Sequence, residues 1–334
     1  MSERHDFVAL GDIVIDAFLQ LSIDHADVSE DLDTGRKTLH MPFGSKLPYE
    51  DVTVVNAVGN SPNAAVSAHR LGLNTALVTN VGHDRNGKDC LDTLRQEGVN
   101  TDYVKIHEGK KTNYHYVLRY GAERTILINH EAYPYTLPDF AEPPRYIYFS
   151  SIGEHGVDFH FTIAEYVKKH PETKLVFQPG TFQIKLGAEK LKEVYEVTEI
   201  FFCNKEEAQE ILGSDTQDVP TLIREFKKLG PTMPVITDGP KGAFVVDEDD
   251  QAWHMPMYPD PAPPVDRTGA GDSFSSTFTA AIALGKTPAE ALSWGPINYM
   301  NVVQHIGAQK GLLTMDELQK YLTEAPDFYK PEKV

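Results

Sequence analysis

Short apolar segments alternate with helical patterns along most of the chain, and this alternation constrains the fold more than any other feature. The helical patterns between them carry start and stop signals, among them Pro62 in a first turn, Gly72 at an end, and capping boxes at Thr287 and Thr314. The apolar segments are nearly continuous in hydrophobicity, as strands buried on both faces are: Phe7–Leu10, Thr75–Thr79, Tyr146–Phe149, Lys174–Phe177, Glu199–Phe202 and Val235–Thr237. The pattern predicts an α/β fold with a mostly parallel central sheet and helices on both of its faces.

Two regions interrupt this alternation, at about residues 16–58 and 103–129. Both carry apolar residues without a helical period, which is typical of β-ribbons. Because the two regions flank the first helix, we expect them to pack together as one small sheet that forms a lid over the main layer. Residues 1–334 then form one domain with two insertions, and the cleft under the lid is where we expect ligands. Exposed edges and apolar faces on such ribbons favour a homodimer formed through the lid.

Composition limits the partners that the protein can take. The 334 residues include 31 Lys and Arg against 49 Asp and Glu, for a net charge of -18. Such a surface repels polyanions, so nucleic acid is not expected as a partner, and an anionic ligand needs local helix N-termini, a few basic side chains and a divalent metal. Cys90 and Cys203 lack the spacing of a disulfide framework or a zinc site, which fits a reducing compartment. Without an apolar run of signal-peptide or membrane-spanning length, we expect a cytoplasmic protein with no membrane partner.

The segment Asp266–Asp272, with the sequence DRTGAGD, is the strongest candidate for the site of chemistry. Its glycines open a helix with a buried stripe through Phe274 and Phe278. A helix start leaves backbone N–H groups unpaired, and small residues let a phosphate reach them where the helix dipole favours negative charge. Asp272 in the first turn is compatible with a simple interaction with the dipole. However, the glycines cost backbone entropy that an ordinary helix start does not require, and a carboxylate beside a phosphate suits a proton acceptor. We therefore favour a functional role for Asp272.

This segment resembles the signature of the ribokinase-like, or pfkB, family of carbohydrate and nucleoside kinases. Further landmarks along nearly the whole chain follow the order of that family, which makes the resemblance more specific than any one motif. They are GDIVID at Gly11–Asp16, GNSPN at Gly59–Asn63, VGHD at Val81–Asp84, NKEE at Asn204–Glu207 and TDGPKG at Thr237–Gly242. The resemblance implies a ribokinase-like three-layer α/β/α sandwich with a mostly parallel central sheet and a small β-sheet lid.

The same resemblance implies a kinase that moves the γ-phosphoryl group of ATP to a hydroxyl group, with Mg²⁺ as a cofactor. Asp272 is then the general base, and the amides of Gly269, Ala270 and Gly271 receive the transferring group. The implied substrate contacts are Asp16, Gly59, Asn60, Asn63 and Glu154. The implied nucleotide contacts are Asn204, Thr237, Gly239, Gly242, Arg267 and Asn298. The implied magnesium residues are Glu207 and Asn204, and a K⁺ site is implied near Asp266, Thr268 and the turn 307–309.

Each of these side chains also has an ordinary structural alternative. Asp16 is compatible with capping a turn, and Asn63 with satisfying backbone groups. Glu207 is compatible with an acidic residue at a helix start. Glutamates such as Glu154 commonly follow strands.

Other functions fit the sequence less well. A dinucleotide-binding oxidoreductase needs G-x-G-x-x-G after the first strand, where the chain has Gly11–Ile13. A Walker-type NTPase needs a glycine at the position of Ala280. Within the kinases, we favour an unphosphorylated small sugar, with nucleosides and sugar phosphates as alternatives and a non-catalytic ligand-binding protein as a remote one. Tyr114, Tyr116 and Tyr120 are available to stack on a nucleoside base. The basic residues available for a sugar phosphate are Arg36, Lys37, Lys110, Lys111, Arg119 and Arg124.

Overall fold

The computed structural model describes residues 4–32, 35–121 and 123–334. Its strands are β1 Phe7–Leu10, β2 Val14–Leu21, β3 Asp27–Glu30, β4 Lys37–His40, β5 Tyr49–Val58, β6 Thr75–Gly82, β7 Val104–His107, β8 Asn113–Tyr120, β9 Glu123–Leu127, β10 Tyr146–Phe149, β11 Lys174–Phe177, β12 Thr198–Asn204, β13 Met233–Thr237, β14 Ala243–Val246, β15 Ala252–Met255 and β16 Glu332–Lys333. Its α-helices are α1 Asn60–Arg70, α2 Arg85–Gln96, α3 Val157–Lys169, α4 Thr181–Leu186, α5 Lys192–Glu196, α6 Lys205–Leu212, α7 Val219–Leu229, α8 Ala270–Ala283, α9 Pro288–Val302 and α10 Met315–Thr323. No helix of this described part is long and apolar enough to cross a membrane.

The large sheet runs in the order β16-β15-β14-β13-β12-β11-β10-β1-β6-β7. The strands from β13 to β7 in this order pair in parallel, and β14, β15 and β16 extend one edge in antiparallel pairing. All of the apolar segments predicted as strands belong to this sheet. The prediction of a mostly parallel central sheet is therefore confirmed.

Helices cover both faces of the large sheet because its strands are apolar on both sides. Phe7 and Ala9 of β1 pack into a core cluster with α1, α8 and α9. Val8 and Leu10, the alternate residues of the same strand, pack into a second cluster with α3 and α7. The sheet thus forms the middle layer between two layers of helices.

A separate small sheet has the order β5-β2-β8-β9, and β3 and β4 form a two-stranded ribbon of their own. The small sheet joins strands of both interrupted regions, since β2 pairs with β5 in antiparallel and with β8 in parallel orientation. One part of the second region differs from the expectation, because Val104–His107 pairs with β6 at the edge of the large sheet. This edge strand consists of half-buried and exposed residues, so it lacks the continuous apolar run that marks the central strands.

The parallel strands bring polar residues to one edge of the large sheet. Gln178 follows β11, Asn204 ends β12 and Thr237 ends β13. Carboxyl ends of parallel strands meet at the same edge, which is the usual place for a ligand in open α/β sheets. The first turn of α8 lies against the same edge, and together they line one cavity.

Candidate active site

The first turn of α8 offers backbone N–H groups to the cavity. Gly269 caps the helix with φ of 75°, a left-handed conformation that favours glycine. A Cβ at this position would also collide with Ala308. The amides of Gly269, Gly271 and Asp272 have no acceptor in the part of the chain that the structure describes, whereas the Ala270 amide makes a long bond of 3.4 Å to the Arg267 carbonyl. The helix start therefore offers an anion site made of backbone.

Asp266 fixes the loop that leads into this helix. Its Oδ1 accepts hydrogen bonds from the amide and the hydroxyl of Thr268 at 3.0 and 2.8 Å. Its Oδ2 accepts from the amide of Gly307 at 3.0 Å. The buried carboxylate of Asp266 therefore connects the loop before α8 to the turn at Gly307.

Asp272 is held by three side-chain amides. Asn60 and Gln178 donate to Oδ1 at 2.8 and 3.2 Å, and Asn63 donates to Oδ2 at 2.8 Å. The residue is 7% exposed. Burial raises the pKa of Asp272 above its ordinary value, and the three amide donors partly offset that effect because they stabilise the charged form. The structure thus brings three of the predicted site residues, Asp272, Asn60 and Asn63, into direct contact.

Gln309 fixes the orientation of the Asn63 side chain. Its Oδ1 accepts a hydrogen bond from Gln309 Nε2 at 3.0 Å, and the same Nε2 donates to the Ala57 carbonyl at 2.8 Å. Because its carbonyl oxygen is occupied in this way, the amide nitrogen of Asn63 faces Asp272. The turn after α9 therefore contributes to the orientation of the carboxylate.

A cavity of about 550 Å³ opens beside Asp272. It is lined by Asn60, Arg124, Ser151, Gln178, Pro179, Gly180, Thr181, Phe202, Cys203, Asn204, Glu206, Glu207, Thr237, Gly239, Arg267, Gly269, Ala270, Gly271, Asp272, Phe274, Ser275 and Tyr299. Most of the residues predicted for phosphate, nucleotide and metal contacts are among them. The cavity is long enough to hold more than the reacting group, since it extends from the α8 amides to the ends of β12 and β13.

Two arginines reach this cavity from different elements. Arg267 lies in the loop before α8, and Arg124 comes from β9 of the small sheet. The Arg124 Nε atom is shielded from solvent and has no hydrogen-bond partner among the described residues. An unpaired buried guanidinium nitrogen is costly, which favours an anion as its missing partner. Sequence reasoning considered Arg124 only for a phosphorylated sugar.

Asn204 and Glu207 form a capping box at the start of α6. The Asn204 amide donates to Glu207 Oε2 at 2.9 Å, and the Glu207 amide donates to Asn204 Oδ1 at 2.8 Å. The ordinary alternative for these residues, a helix cap, is thus present in the structure. Burial raises the pKa of Glu207, and the carboxylates of Glu206, Glu210 and Asp272 raise it further, while the Asn204 amide lowers it.

The carboxylates of this cavity fit a magnesium ion. Mg²⁺ takes oxygen ligands, keeps several waters and typically uses one or two carboxylates together with substrate phosphates. Among the described residues, no group of three or more His, Cys, Asp or Glu side chains is arranged to hold a metal ion by itself. Glu207 nevertheless lies close to two further acidic side chains in a cavity that also offers phosphate contacts, so a cation there would relieve mutual repulsion.

Asp16 lies outside the large cavity, in a chain of polar side chains next to the small sheet. It is 7% exposed, and its Oδ1 lies 3.3 Å from His115 Nδ1. His115 Nε2 lies 2.9 Å from His130 Nε2, and His130 Nδ1 lies 3.2 Å from Asp12 Oδ2. Tyr135 closes the chain by donating to Asp12 Oδ1 at 2.8 Å. Asp16 and His115 meet because they are register partners on β2 and β8.

Besides Asp16 and Asn63, four predicted site residues do not line the large cavity. Glu154 is exposed in a short 3₁₀ turn, and its predicted substrate contact stays a prediction. Asn298 is fully buried, donates to Thr277 Oγ1 at 2.7 Å and accepts from the Leu313 amide, so it joins α9 to α8, and its predicted nucleotide contact stays a prediction too. Gly242 packs against the backbone of Met255, which leaves no room for a side chain. Gly59 approaches the Asp12 carbonyl closely at φ of 118° and shapes the turn before α1.

Sequence reasoning missed Gln178, His115 and His130. Gln178 carries a signal that was available, because a polar residue directly after a buried parallel strand lies at the ligand edge of the sheet. The histidines carry no such signal, since His115 meets Asp16 through the pairing of strands from different regions and His130 lies in the loop after β9.

Comparison with known proteins agrees with this geometry. A profile of pfkB family carbohydrate kinases matches residues 27–315. The ribokinase of Bacillus subtilis is 28% identical over 274 residues, which cover 79% of this chain and 87% of the relative. The ribokinase of Arabidopsis thaliana, solved with ribose and ATP, superposes with a TM-score of 0.78 at 20% identity and covers 96% of this chain and 99% of its own. The nucleoside kinase of Methanocaldococcus jannaschii superposes with a TM-score of 0.76 at 19% identity and covers 97% and 100%. The predicted ribokinase-like fold is confirmed, and the chain belongs to the pfkB family of carbohydrate kinases.

Proposed function

We propose that this kinase transfers the γ-phosphoryl group of ATP to a hydroxyl group of a small, unphosphorylated sugar, with Asp272 as the general base. The observation that carries the proposal is a buried carboxylate, held by three amides, in the same helix turn as backbone N–H groups that lack an acceptor. A proton acceptor and an anion site at one point are what a phosphoryl transfer to an alcohol needs. The relatives solved or named as ribokinases support the same donor and acceptor classes.

The chemistry follows from the placement of these groups. The substrate hydroxyl gives its proton to Asp272, and its oxygen forms a bond to the γ-phosphorus as the bond to the ADP leaving group breaks. The α8 amides stabilise the charge on the transferring group, and a preorganised donor of this kind is worth about 10²–10³ in rate. Arg267 and Arg124 neutralise the phosphates from two sides. Glu207 and Asn204 would hold Mg²⁺ through water, and the bound ion would supply further neutralisation of the phosphate charge.

The acceptor end of the site favours an uncharged polyol. Asp12 and Asp16 both face the histidine pair there, so two carboxylates lie where the substrate is expected to bind. A phosphorylated sugar would bring more negative charge to this end, and two of the basic side chains considered for it are already engaged. Lys110 pairs with Glu131 at 3.1 Å, and Arg119 donates to the Val265 carbonyl. We therefore favour a sugar over a sugar phosphate.

The aromatic residues considered for a nucleoside lie elsewhere. Tyr114 and Tyr116 contact each other with ring centroids 5.2 Å apart and line a separate cavity of about 390 Å³. Neither ring lines the large cavity beside Asp272. This placement supports a sugar more than a nucleoside as the substrate.

ADP formation with a panel of acceptors tests the proposal. The panel holds pentoses, hexoses, their phosphates and nucleosides, each at several concentrations with ATP and Mg²⁺. We expect turnover with one or more free sugars and much lower kcat/KM with the phosphorylated forms. Turnover confined to nucleosides or sugar phosphates would contradict the substrate class. No turnover on any acceptor, together with thermal stabilisation by one of them, would support the non-catalytic alternative.

We also propose a homodimer formed through the small sheet. Val52 and Val54 on the edge strand β5 are 44% and 52% exposed, and Tyr116 on β8 and Leu127 on β9 of the same sheet are about half exposed too. An apolar face next to an open strand edge is a typical association surface. Sedimentation velocity over a range of concentrations measures the expected dimer.

The potassium site near Asp266 stays a prediction. All three donors that reach the Asp266 carboxylate come from the chain itself, namely Thr268 and the Gly307 amide. Carboxylate oxygens can accept further contacts, so activity measured with K⁺ against a large organic cation tests this site.

A further inference from the structure

Gln178 connects the proposed base to the interior of the protein. It directly follows β11, and its Nε2 donates to Asp272 Oδ1 at 3.2 Å. Its Oε1 accepts a hydrogen bond from the hydroxyl of Tyr148 on β10. The role inferred for this residue rests on the proposed function, in which Asp272 takes the proton of the substrate.

The acceptor positions of Asp272 are nearly filled by the chain. A carboxylate has two oxygens with about four acceptor positions in all. Asn60 and Gln178 occupy both positions on Oδ1, and Asn63 occupies one on Oδ2. One position, on Oδ2, remains for a further donor. Without Gln178, a position on Oδ1 would be open as well.

The orientation of the Gln178 amide is determined by its two neighbours. A carboxylate only accepts hydrogen bonds, so the NH₂ group of Gln178 must face Asp272 and its carbonyl oxygen must face Tyr148. Tyr148 is 0% exposed, and burial raises the pKa of its hydroxyl well above the ordinary value, so it stays a donor. With its own hydrogen on Gln178, the Tyr148 oxygen accepts from the hydroxyl of Ser275 on α8, whose Oγ lies 2.6 Å away. The network therefore ends on the same helix turn that carries Asp272.

We infer that Gln178, oriented by Tyr148, is a positioning residue that reserves Oδ2 of Asp272 as the atom that receives the substrate proton. The amide closes Oδ1 to the substrate and stabilises the charged form of a buried base. Tyr148 prevents the amide from turning its carbonyl oxygen toward the carboxylate. The reacting hydroxyl can then approach Asp272 from one side only, next to the α8 amides.

The other charged groups near Asp272 are Glu207, Arg267 and Arg124. The α1 side contributes only the neutral amides of Asn60 and Asn63. Glu207 of α6 is a like charge, and Arg267 and Arg124 line the same cavity. Substitution of Gln178 or Tyr148 leaves these groups in place, so a change in the pH dependence reports on the amide itself.

The variants Tyr148→Phe, Gln178→Leu and the uncharged Gln178→Met test the inference. We expect kcat for the sugar to fall about ten- to a hundredfold, the range for a lost hydrogen bond to a charged group, with the KM values of ATP and sugar nearly unchanged. The N–H of Gln178 lowers the pKa of Asp272, so its loss in the Gln178 variants, or its reorientation in Tyr148→Phe, should move the acid limb of the kcat profile to higher pH. Gln178→Met nearly keeps the side-chain volume and adds no charge, so it remains informative if Gln178→Leu folds poorly.

Tyr195→Phe is the matched control, since Tyr195 is equally buried but belongs to the other core cluster. It should keep the wild-type kcat and acid limb. The Asp272→Asn variant distinguishes a failure of the Gln178 role from a failure of the proposed function. Full turnover in that variant would contradict the proposed function itself. If Asp272→Asn is inactive while the Tyr148 and Gln178 variants keep the wild-type kcat and acid limb, the role of Gln178 is overturned and the proposed function stands.

Discussion

The phosphate end of the proposed site is formed mainly by backbone groups, whereas its sugar end is formed by side chains. At the phosphate end, backbone amides of α8 provide the anion site, and Asp266 anchors their loop through three hydrogen bonds. At the sugar end, side chains of Asp16, His115, His130 and Asp12 contact one another across the small sheet and adjacent loops. A backbone site is rigid and tolerates few changes, whereas a side-chain site can be altered one residue at a time. The comparison predicts that ATP binding and sugar binding respond to different substitutions.

Asp272→Asn should have the largest effect, because it removes the base at which both ends meet. We expect kcat to fall by about 10²–10⁴, the usual contribution of a positioned general base. The KM of ATP should change little, since the α8 amides and the arginines remain. Steady-state kinetics with ATP and the best sugar of the panel measures both values. A variant with full turnover would show that the two ends do not meet at this carboxylate.

Arg267→Ala tests the phosphate end alone. Loss of a charged contact to a phosphate should raise the KM of ATP about tenfold and leave the KM of the sugar nearly unchanged. Arg224→Ala is the control, since that exposed arginine bonds only to backbone carbonyls far from the cavity. A selective increase in the KM of the sugar would instead place Arg267 at the acceptor.

His115→Asn tests the sugar end and should have the smallest effect. The change removes the partner of Asp16, so the KM of the sugar should rise about three- to tenfold, the range of a neutral hydrogen bond. The KM of ATP should not change. His83→Asn is the matched control, because His83 pairs with Glu108 on the exposed surface. Equal effects on both substrates would show that His115 supports the whole cleft and has no specific role with the sugar.

The same difference explains how much of the site the sequence could predict. The anion site depends on consecutive residues, so the glycines around Ala270 and the carboxylate of Asp272 were visible in one short segment. Most of the strands of the large sheet were visible for a similar reason, since burial on both faces requires continuous apolar runs such as Tyr146–Phe149. Contacts within one segment are what sequence patterns record best.

The parts that the sequence could not predict depend on long-range pairing. His115 meets Asp16 only because β8 lies beside β2 in a particular register. Gln178 reaches Asp272 across 94 positions of the chain. Conversely, Asn298 lies within a helix near the site, but the packing of α9 turns it toward Thr277 in the core. Strand register and helix rotation determine these three contacts, and neither can be deduced from the spacing of residues in the sequence.

The position of Arg124 on β9 has a consequence for the use of ATP. The small sheet delivers this cation to a cavity whose other walls belong to the large sheet and α8. If the small sheet were displaced from the cavity, the phosphates of ATP bound in the proposed site would lose Arg124 and gain contact with bulk solvent. We therefore expect phosphoryl transfer to water to be slow whenever Arg124 is away from the phosphates, because only one of the two arginines then remains to neutralise them.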